Sequence, residues 1–258
     1  MNKDNPLAGR KAVITGAGKG IGRAIALAFA AAGADVCAIS RTQDDVEKLS
    51  SEIRDSFDVK AIPIVADVSD TEDMDRAMNE AVAALGSVDL LVCAAGYPLI
   101  DDVWRKMTHE LRDEDFLNTF QVDVLGSVRA VRGALPSMMK QHRGVIILFS
   151  SAPAVAGYNK GGAYTVAKAA NLGLTKELAS EYGEYNIRVY AIAPGNISTP
   201  RTFEQLSKEE QAKLALEASM RRWGRADEVA DVAVALASER MSFVTGQTIV
   251  VDGGTVML

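Results

Sequence analysis

The chain has 258 residues, 48% of them apolar and 24% charged, the balance of a globular protein with a substantial core rather than of a disordered segment. Lys and Arg number 28 against 34 Asp and Glu, for a formal charge of -6; no local cluster of cations offsets it, which argues against nucleic acid as a partner. Two histidines cannot furnish a His-rich metal site or a His-based nucleophile triad, so the expectation is small-molecule chemistry with no metal.

The opening Met1 to Pro6 lacks the apolar run of a secretory signal, and no stretch of membrane-spanning length is free of charge, so a cytoplasmic protein with no membrane partner is expected. Strand patterns then follow at Lys11 to Thr15, Asp35 to Ser40, Lys60 to Val65, Val88 to Cys93, Gly144 to Ser150, Ile187 to Ala191 and Gln247 to Val251. Between them lie Ala-rich helical stretches such as Gly20 to Ala32, Thr71 to Leu85 and Gly161 to Tyr182. This alternation predicts an α/β fold: a Rossmann-type, doubly wound, seven-stranded parallel sheet with helices on both faces. Pro63 interrupts the third strand, and proline is tolerated mainly on a sheet edge, which the order 3-2-1-4-5-6-7 supplies. No linker or repeat divides the chain, and residues 1–258 read as one domain. Cys37 and Cys93 lie inside apolar runs and read as small buried hydrophobes, not as a disulfide.

The first strand runs into Gly16, Gly18, Lys19, Gly20, Ile21 and Gly22 and then into a helix. Glycines let backbone approach a pyrophosphate, whose charge is favoured by the free N–H groups of a helix N-terminus. The strict G-x-G-x-x-G spacing is not met, so the turn alone is also compatible with a merely flexible loop. The second strand ends Ser40-Arg41 where an NAD site has a carboxylate. A hydroxyl and a guanidinium, with Lys19 as a second cation, suit the 2′-phosphate of NADP(H) instead. Tyr164 and Lys168 stand one helical turn apart on one face, where an ammonium favours the phenolate of a general acid/base. Such a pair alone is ordinary surface decoration; Ser151, at the end of the fifth strand, gives it context, because open parallel sheets bind ligands at their carboxyl edge.

From about residue 10 to 254 the chain resembles the short-chain dehydrogenases/reductases, through Thr15-Gly16-x-x-x-Gly20-Ile21-Gly22 and through Ser151, Tyr164 and Lys168 in register. The resemblance implies hydride transfer between NADP(H) and an alcohol or carbonyl carbon. Tyr164 would be the proton donor, Ser151 would hold the substrate oxygen, and Lys168 would also hold the nicotinamide ribose. It places Asp67 and Val68, then Ala94, Ala95 and Gly96, and then Pro194, Gly195, Ile197 and Thr199 against the cofactor. Ser40-Arg41-Thr42-Gln43 looks like the run in NADP-dependent carbonyl and xylulose reductases.

Asp123 stands where the family has an asparagine that steadies a proton-relay water; its charge near Lys168 would raise pKa values there. Tyr190 replaces another common asparagine. These departures leave a second hypothesis, a low-turnover NADP(H)-binding sensor or scaffold. The resemblance implies a substrate lid over about 197–222 and assembly as a homotetramer or homodimer, with Val256 to Leu258 buried between copies. Tyr97 to Trp104 lies at the crevice mouth, where it would help cap the substrate. His142 and Tyr185 occupy the two docking positions that are basic in acyl-carrier-protein reductases, which favours a small free carbonyl or polyol over a 3-oxoacyl thioester.

Overall fold

The computed structural model describes residues 5–98, 101–200 and 202–257. Met1 to Asp4, Leu99, Ile100, Arg201 and Leu258 lie outside these, and with them parts of the expected cap, lid and C-terminal contact. The elements in order are β1 (Lys11–Thr15), α1 (Gly20–Ala31), β2 (Asp35–Ser40), α2 (Gln43–Ser56), β3 (Ala61–Val65), α3 (Thr71–Leu85), β4 (Leu90–Cys93), α4 (Asp101–Trp104) and α5 (Asp113–Phe120). Then come α6 (Gly126–Gln141), β5 (Gly144–Phe149), α7 (Ala152–Ala156), α8 (Gly162–Tyr182), β6 (Ile187–Pro194), β7 (Ile197–Ser198), α9 (Lys208–Ala215), β8 (Gly224–Arg225), α10 (Ala226–Ala237) and β9 (Gln247–Val251).

Seven strands form one sheet in the order β3-β2-β1-β4-β5-β6-β9, every pairing parallel. The predicted topology holds, and Pro63 sits on the edge strand β3. The seventh predicted strand is ninth in the chain because β7 and β8, two residues each, make a separate parallel pair.

Alternation along each strand splits the core into two layers. Ala12, Ile14, Val36 and Ala38 face α1, α2 and α10, where Ile25, Phe29, Leu49 and Val229 are buried. Val13, Cys37 and Ile39 face α3, α6 and α8, where Met74, Met78, Ala134 and Leu178 are buried. Burial pushes the Cys37 and Cys93 thiols up to about 12, as small core side chains rather than nucleophiles. No helix among the described residues is long and apolar enough to cross a membrane.

Four strand boundaries move. β3 begins at Ala61 rather than Lys60. β4 begins at Leu90 because Asp89 is buried as an acceptor, taking the Lys11 N–H and the Arg143 guanidinium. β5 stops at Phe149, so Ser151 is not a strand residue but the extended N-cap of α7. β6 continues to Pro194 alongside β9. Tyr190 is fully buried in mid-strand, its hydroxyl bonded to the carbonyl oxygens of Met241 and Val244, which ties β6 to the segment leading into β9.

Candidate active site

The carboxyl edge of the sheet gathers the loops that carry the predicted residues. Gly16 follows β1 with φ +69, and a Cβ there would stand 2.5 Å from the Ala95 nitrogen, so the glycine turn packs directly on Ala94 and Ala95 after β4. At the head of α1, Lys19 is the N-cap and makes no side-chain cap bond, which leaves first-turn N–H groups for an anion. A Cβ on Gly18 would lie 2.9 Å from Ser40 Oγ, and one on Gly20 would lie 3.5 Å from Thr199 Cγ2. The turn is thus bracketed by the end of β2 on one side and the loop containing Ile197 and Thr199 on the other. Gly195 is tied to β9 through its N–H and the Val251 carbonyl.

Both cations expected at the 2′-phosphate are present and exposed, each beside a carboxylate: Arg41 Nη1 is 3.6 Å from Asp67 Oδ2 and Lys19 Nζ is 3.2 Å from Asp45 Oδ2. Burial works against the Asp67 carboxylate. The Ser69 N–H and hydroxyl and the Arg41 guanidinium outweigh it and hold Asp67 below the usual carboxylate range. Next to it, Val68 is buried under Gly126, and its carbonyl accepts from the guanidinium of Arg129.

Tyr164 and Lys168 share a face of α8, with Lys168 Nζ 5.7 Å from the centre of the Tyr164 ring. Lys168 is buried and its Nζ lies 2.5 Å from Asp123 Oδ1. The other carboxylate oxygen accepts the Tyr97 N–H at 2.7 Å, and a Cβ on Gly96 would lie 3.5 Å from Oδ1, so the β4 loop closes over the pair. Burial disfavours the Lys168 ammonium; the Asp123 carboxylate, and after it Tyr164, more than offset this and raise the Lys168 pKa. Asp123 lies in a single π-helical turn, Gln121–Leu125, between α5 and α6, and such turns break the regular backbone ladder. Its carbonyl oxygen there accepts from Asn171 Nδ2 at 3.1 Å and Ser127 Oγ at 3.0 Å.

Ser150 and Ser151 divide as alternation requires. Ser150 Oγ donates to the Lys168 carbonyl, anchoring α8 to β5. Ser151 Oγ makes no cap bond to α7, and among the described residues its one hydrogen bond is a long contact of 3.5 Å to the Pro194 carbonyl. Its hydroxyl is the less committed of the two.

The sequence reading missed several participants. Asn171, one turn beyond Lys168, bonds the Asp123 and Phe149 carbonyls; its position on the Tyr164 face was the available signal. Asp45, in the first turn of α2, had none. Trp104 packs its ring 5.5 Å from that of Tyr164 at 75° and 6.1 Å from that of Tyr158. Between Trp104 and Tyr164 is a recess of about 10 Å³, also lined by Tyr97, Pro98, Val103, Thr119 and Gly161, room for about one water. Tyr158 Oη donates to Glu217, which also accepts from Asn196, so the segment after α9 is fastened over the loop before α8. Trp223 packs on Phe203 and donates to the Gln211 carbonyl. His142 and Tyr185 contact each other, ring centres 5.6 Å apart, just before β5 and β6 and thus at the amino edge, opposite the site.

A family model described as Enoyl-(Acyl carrier protein) reductase matches residues 16–256, nearly the whole glycine-turn, serine, tyrosine and lysine framework. The chain belongs to the short-chain dehydrogenase/reductase family. It is 34% identical over 251 residues to the 3-oxoacyl-(acyl carrier protein) reductase of Thermotoga maritima, covering 97% of this chain and 99% of that one. Among solved structures, L-sorbose reductase from Gluconobacter frateurii, complexed with NADPH and L-sorbose, has a TM-score of 0.93 at 31% identity, with 99% of each chain covered. A Brucella melitensis 3-oxoacyl-(acyl carrier protein) reductase with bound NAD has a TM-score of 0.89 at 34% identity, covering 98% of this chain and 95% of that one. As a member of this family the protein is an oxidoreductase acting on CH–OH and C=O groups of small molecules with a nicotinamide cofactor.

Proposed function

We propose that the protein reduces a small carbonyl compound, or oxidises the corresponding secondary alcohol, with NADP(H), using Tyr164 as general acid/base. The observation that carries the reading is the Tyr164 ring beside the buried Lys168 ammonium, itself paired to Asp123, at the ligand-binding edge of a parallel sheet. The bound cofactor supplies or accepts the hydride. Tyr164 Oη donates its proton to the carbonyl oxygen in reduction, and the phenolate takes it back in oxidation. The ammonium beside the ring stabilises that phenolate, and Lys168 also reaches for the nicotinamide ribose. Ser151 Oγ, free of capping, donates to the same substrate oxygen where charge develops. Asp123 holds Lys168 charged and in place, a positioning role.

Preference for NADP(H) is supported by Ser40, Arg41 and Lys19 around Gly18, two of them fixed cations, suited to a phosphate. The proposal treats residues 1–258 as one domain, with 197–222 as a substrate lid fastened through Glu217. A cytoplasmic home agrees with two cysteines that stay unpaired. Assembly as a homotetramer is supported by Leu117 and Phe120 on α5 and Val166 on α8, apolar yet exposed, and by exposed Met257 near the C-terminus.

A second reading, reduction of a 3-oxoacyl thioester, is favoured by the likeness to the Thermotoga maritima enzyme. His142 and Tyr185, at the amino edge opposite the site, do not decide between the two readings; the small recess beside Tyr164 speaks for the small carbonyl. The test is NADPH consumption with diacetyl, L-sorbose and acetoacetyl-coenzyme A. Turnover of diacetyl or L-sorbose above the thioester is expected, with Ser151→Ala about a hundredfold slower or worse. Preferred turnover of the thioester would install the second reading. NADPH binding with no turnover of any carbonyl would leave a sensor or scaffold.

A further inference from the structure

The glycine pair that opens α8 has a specific occupant. Gly161 is the N-cap of α8 with φ +71, and an added Cβ would stand 2.2 Å from Trp104 Cζ3 and 2.4 Å from Cε3. The indole therefore rests on the bare backbone of residue 161, and no side chain there is compatible with it. The Gly161 N–H donates to the Trp104 carbonyl at 2.9 Å, which fixes the same contact through the main chain. Gly162 is crowded in turn by Thr108 Oγ1 and Leu111 Cδ1 at 3.2 and 3.3 Å. The segment after β4 is thus seated on the first turn of the helix that carries Tyr164.

This seating decides what can reach the phenol. One side of the Tyr164 ring has the Lys168 ammonium at 5.7 Å, and the indole stands edge-to-face to it at 5.5 Å. The recess left between indole and phenol is about 10 Å³, space for about one water. Outward, the indole is backed by Tyr158, whose hydroxyl is bonded to Glu217. The indole thus flanks the phenol ring that a substrate must approach.

We infer that Trp104 is the specificity-determining residue of the site, a rigid indole wall that admits short, unbranched carbonyl compounds and rejects aryl or branched ones. The inference rests on the carbonyl-reductase reading and adds the substrate's size limit. Trp104 touches the substrate's substituent and takes no part in proton transfer.

The test compares kcat/KM for diacetyl and for propiophenone, with NADPH, in the wild type, Trp104→Phe and Trp104→Ala. Removing the indole should lower the diacetyl-to-propiophenone ratio by about tenfold or more, since discrimination in an apolar pocket grows with the volume refused. Trp104→Phe keeps an aromatic seat on Gly161 and protects folding; it should move the ratio the same way by a smaller factor. A merely structural tryptophan would lower both activities together and leave the ratio within about twofold of the wild type, which would overturn the inference. The same compounds titrated calorimetrically into the NADP+-loaded proteins give dissociation constants independent of turnover. If no carbonyl is turned over, the proposed function falls, while propiophenone must still bind more tightly to Trp104→Ala than to the wild type; equal affinity would sink the wall on its own.

Discussion

Asp123 Oδ1 lies 2.5 Å from Lys168 Nζ with both side chains almost fully buried, so Asp123 acts as counter-ion to the site's lysine. Burial pulls the Lys168 pKa down; the Asp123 carboxylate more than offsets it, and the folded value is raised. Asp123→Asn removes the largest raising influence, so Lys168 surrenders its proton at lower pH. The alkaline limb of the kcat/KM profile should therefore move toward lower pH in Asp123→Asn, measured with NADPH and diacetyl across the alkaline range. An unmoved limb would show that the pair does not govern proton transfer.

The same pair enters stability with a definite sign. A lysine whose folded pKa is raised contributes stability that is complete below its unfolded value and is lost as pH climbs through the folded one. At neutral pH the wild type holds this contribution in full, and it fades only on the alkaline side of the ordinary lysine range. Asp123→Ala leaves a buried ammonium without its partner, at a cost of about 3–5 kcal/mol. Urea unfolding at neutral pH should show that loss, and equal midpoints for the two proteins would refute it.

Asn171 is the positioning residue behind both. Its amide donates to the Asp123 carbonyl at 3.1 Å and to the Phe149 carbonyl at 2.9 Å, joining the π-helical turn to the end of β5. Asn171→Ala removes two buried hydrogen bonds, although the Asp123 carbonyl keeps Ser127 Oγ and the Phe149 carbonyl keeps Lys168 Nζ, and should destabilise the fold by about 1–3 kcal/mol. Because the turn that carries Asp123 loosens, kcat should fall more than KM rises. A variant with lowered stability but unchanged kcat would confine Asn171 to the scaffold.

Cofactor choice is tested at Arg41. The guanidinium is exposed, with Asp67 at 3.6 Å beside it, and a charge-assisted bond to phosphate is worth about 1.5–3 kcal/mol. Arg41→Asp should therefore weaken NADPH by about tenfold to a hundredfold relative to NADH, read as the ratio of the two kcat/KM values. A ratio equal to that of the wild type would remove Arg41 from the 2′-phosphate site.

Much of this was legible because the features are local or periodic. Apolar runs fixed the seven strands of the sheet, Pro63 its edge, and the Tyr164 to Lys168 interval a shared helical face. The two-residue β7 and β8 are too short to leave a pattern, and the π-helical turn at Asp123 contains no glycine or proline that would mark it. Ser151 read as a strand residue because it follows so closely on the apolar run that ends at Phe149, yet the chain bends into α7 there. Trp104 on Gly161 is a contact across 57 residues, and only the glycine pair where a Ser, Thr, Asp or Asn cap is usual hinted at a close approach.

The most direct measurement is the turnover of Tyr164→Phe with NADPH and diacetyl, alongside its NADPH affinity. The account predicts a loss in kcat of about a hundredfold to ten-thousandfold with cofactor binding retained, since the variant lacks only the proton donor. Turnover within about tenfold of the wild type, with the same cofactor affinity, would contradict the assignment of Tyr164 as the general acid/base.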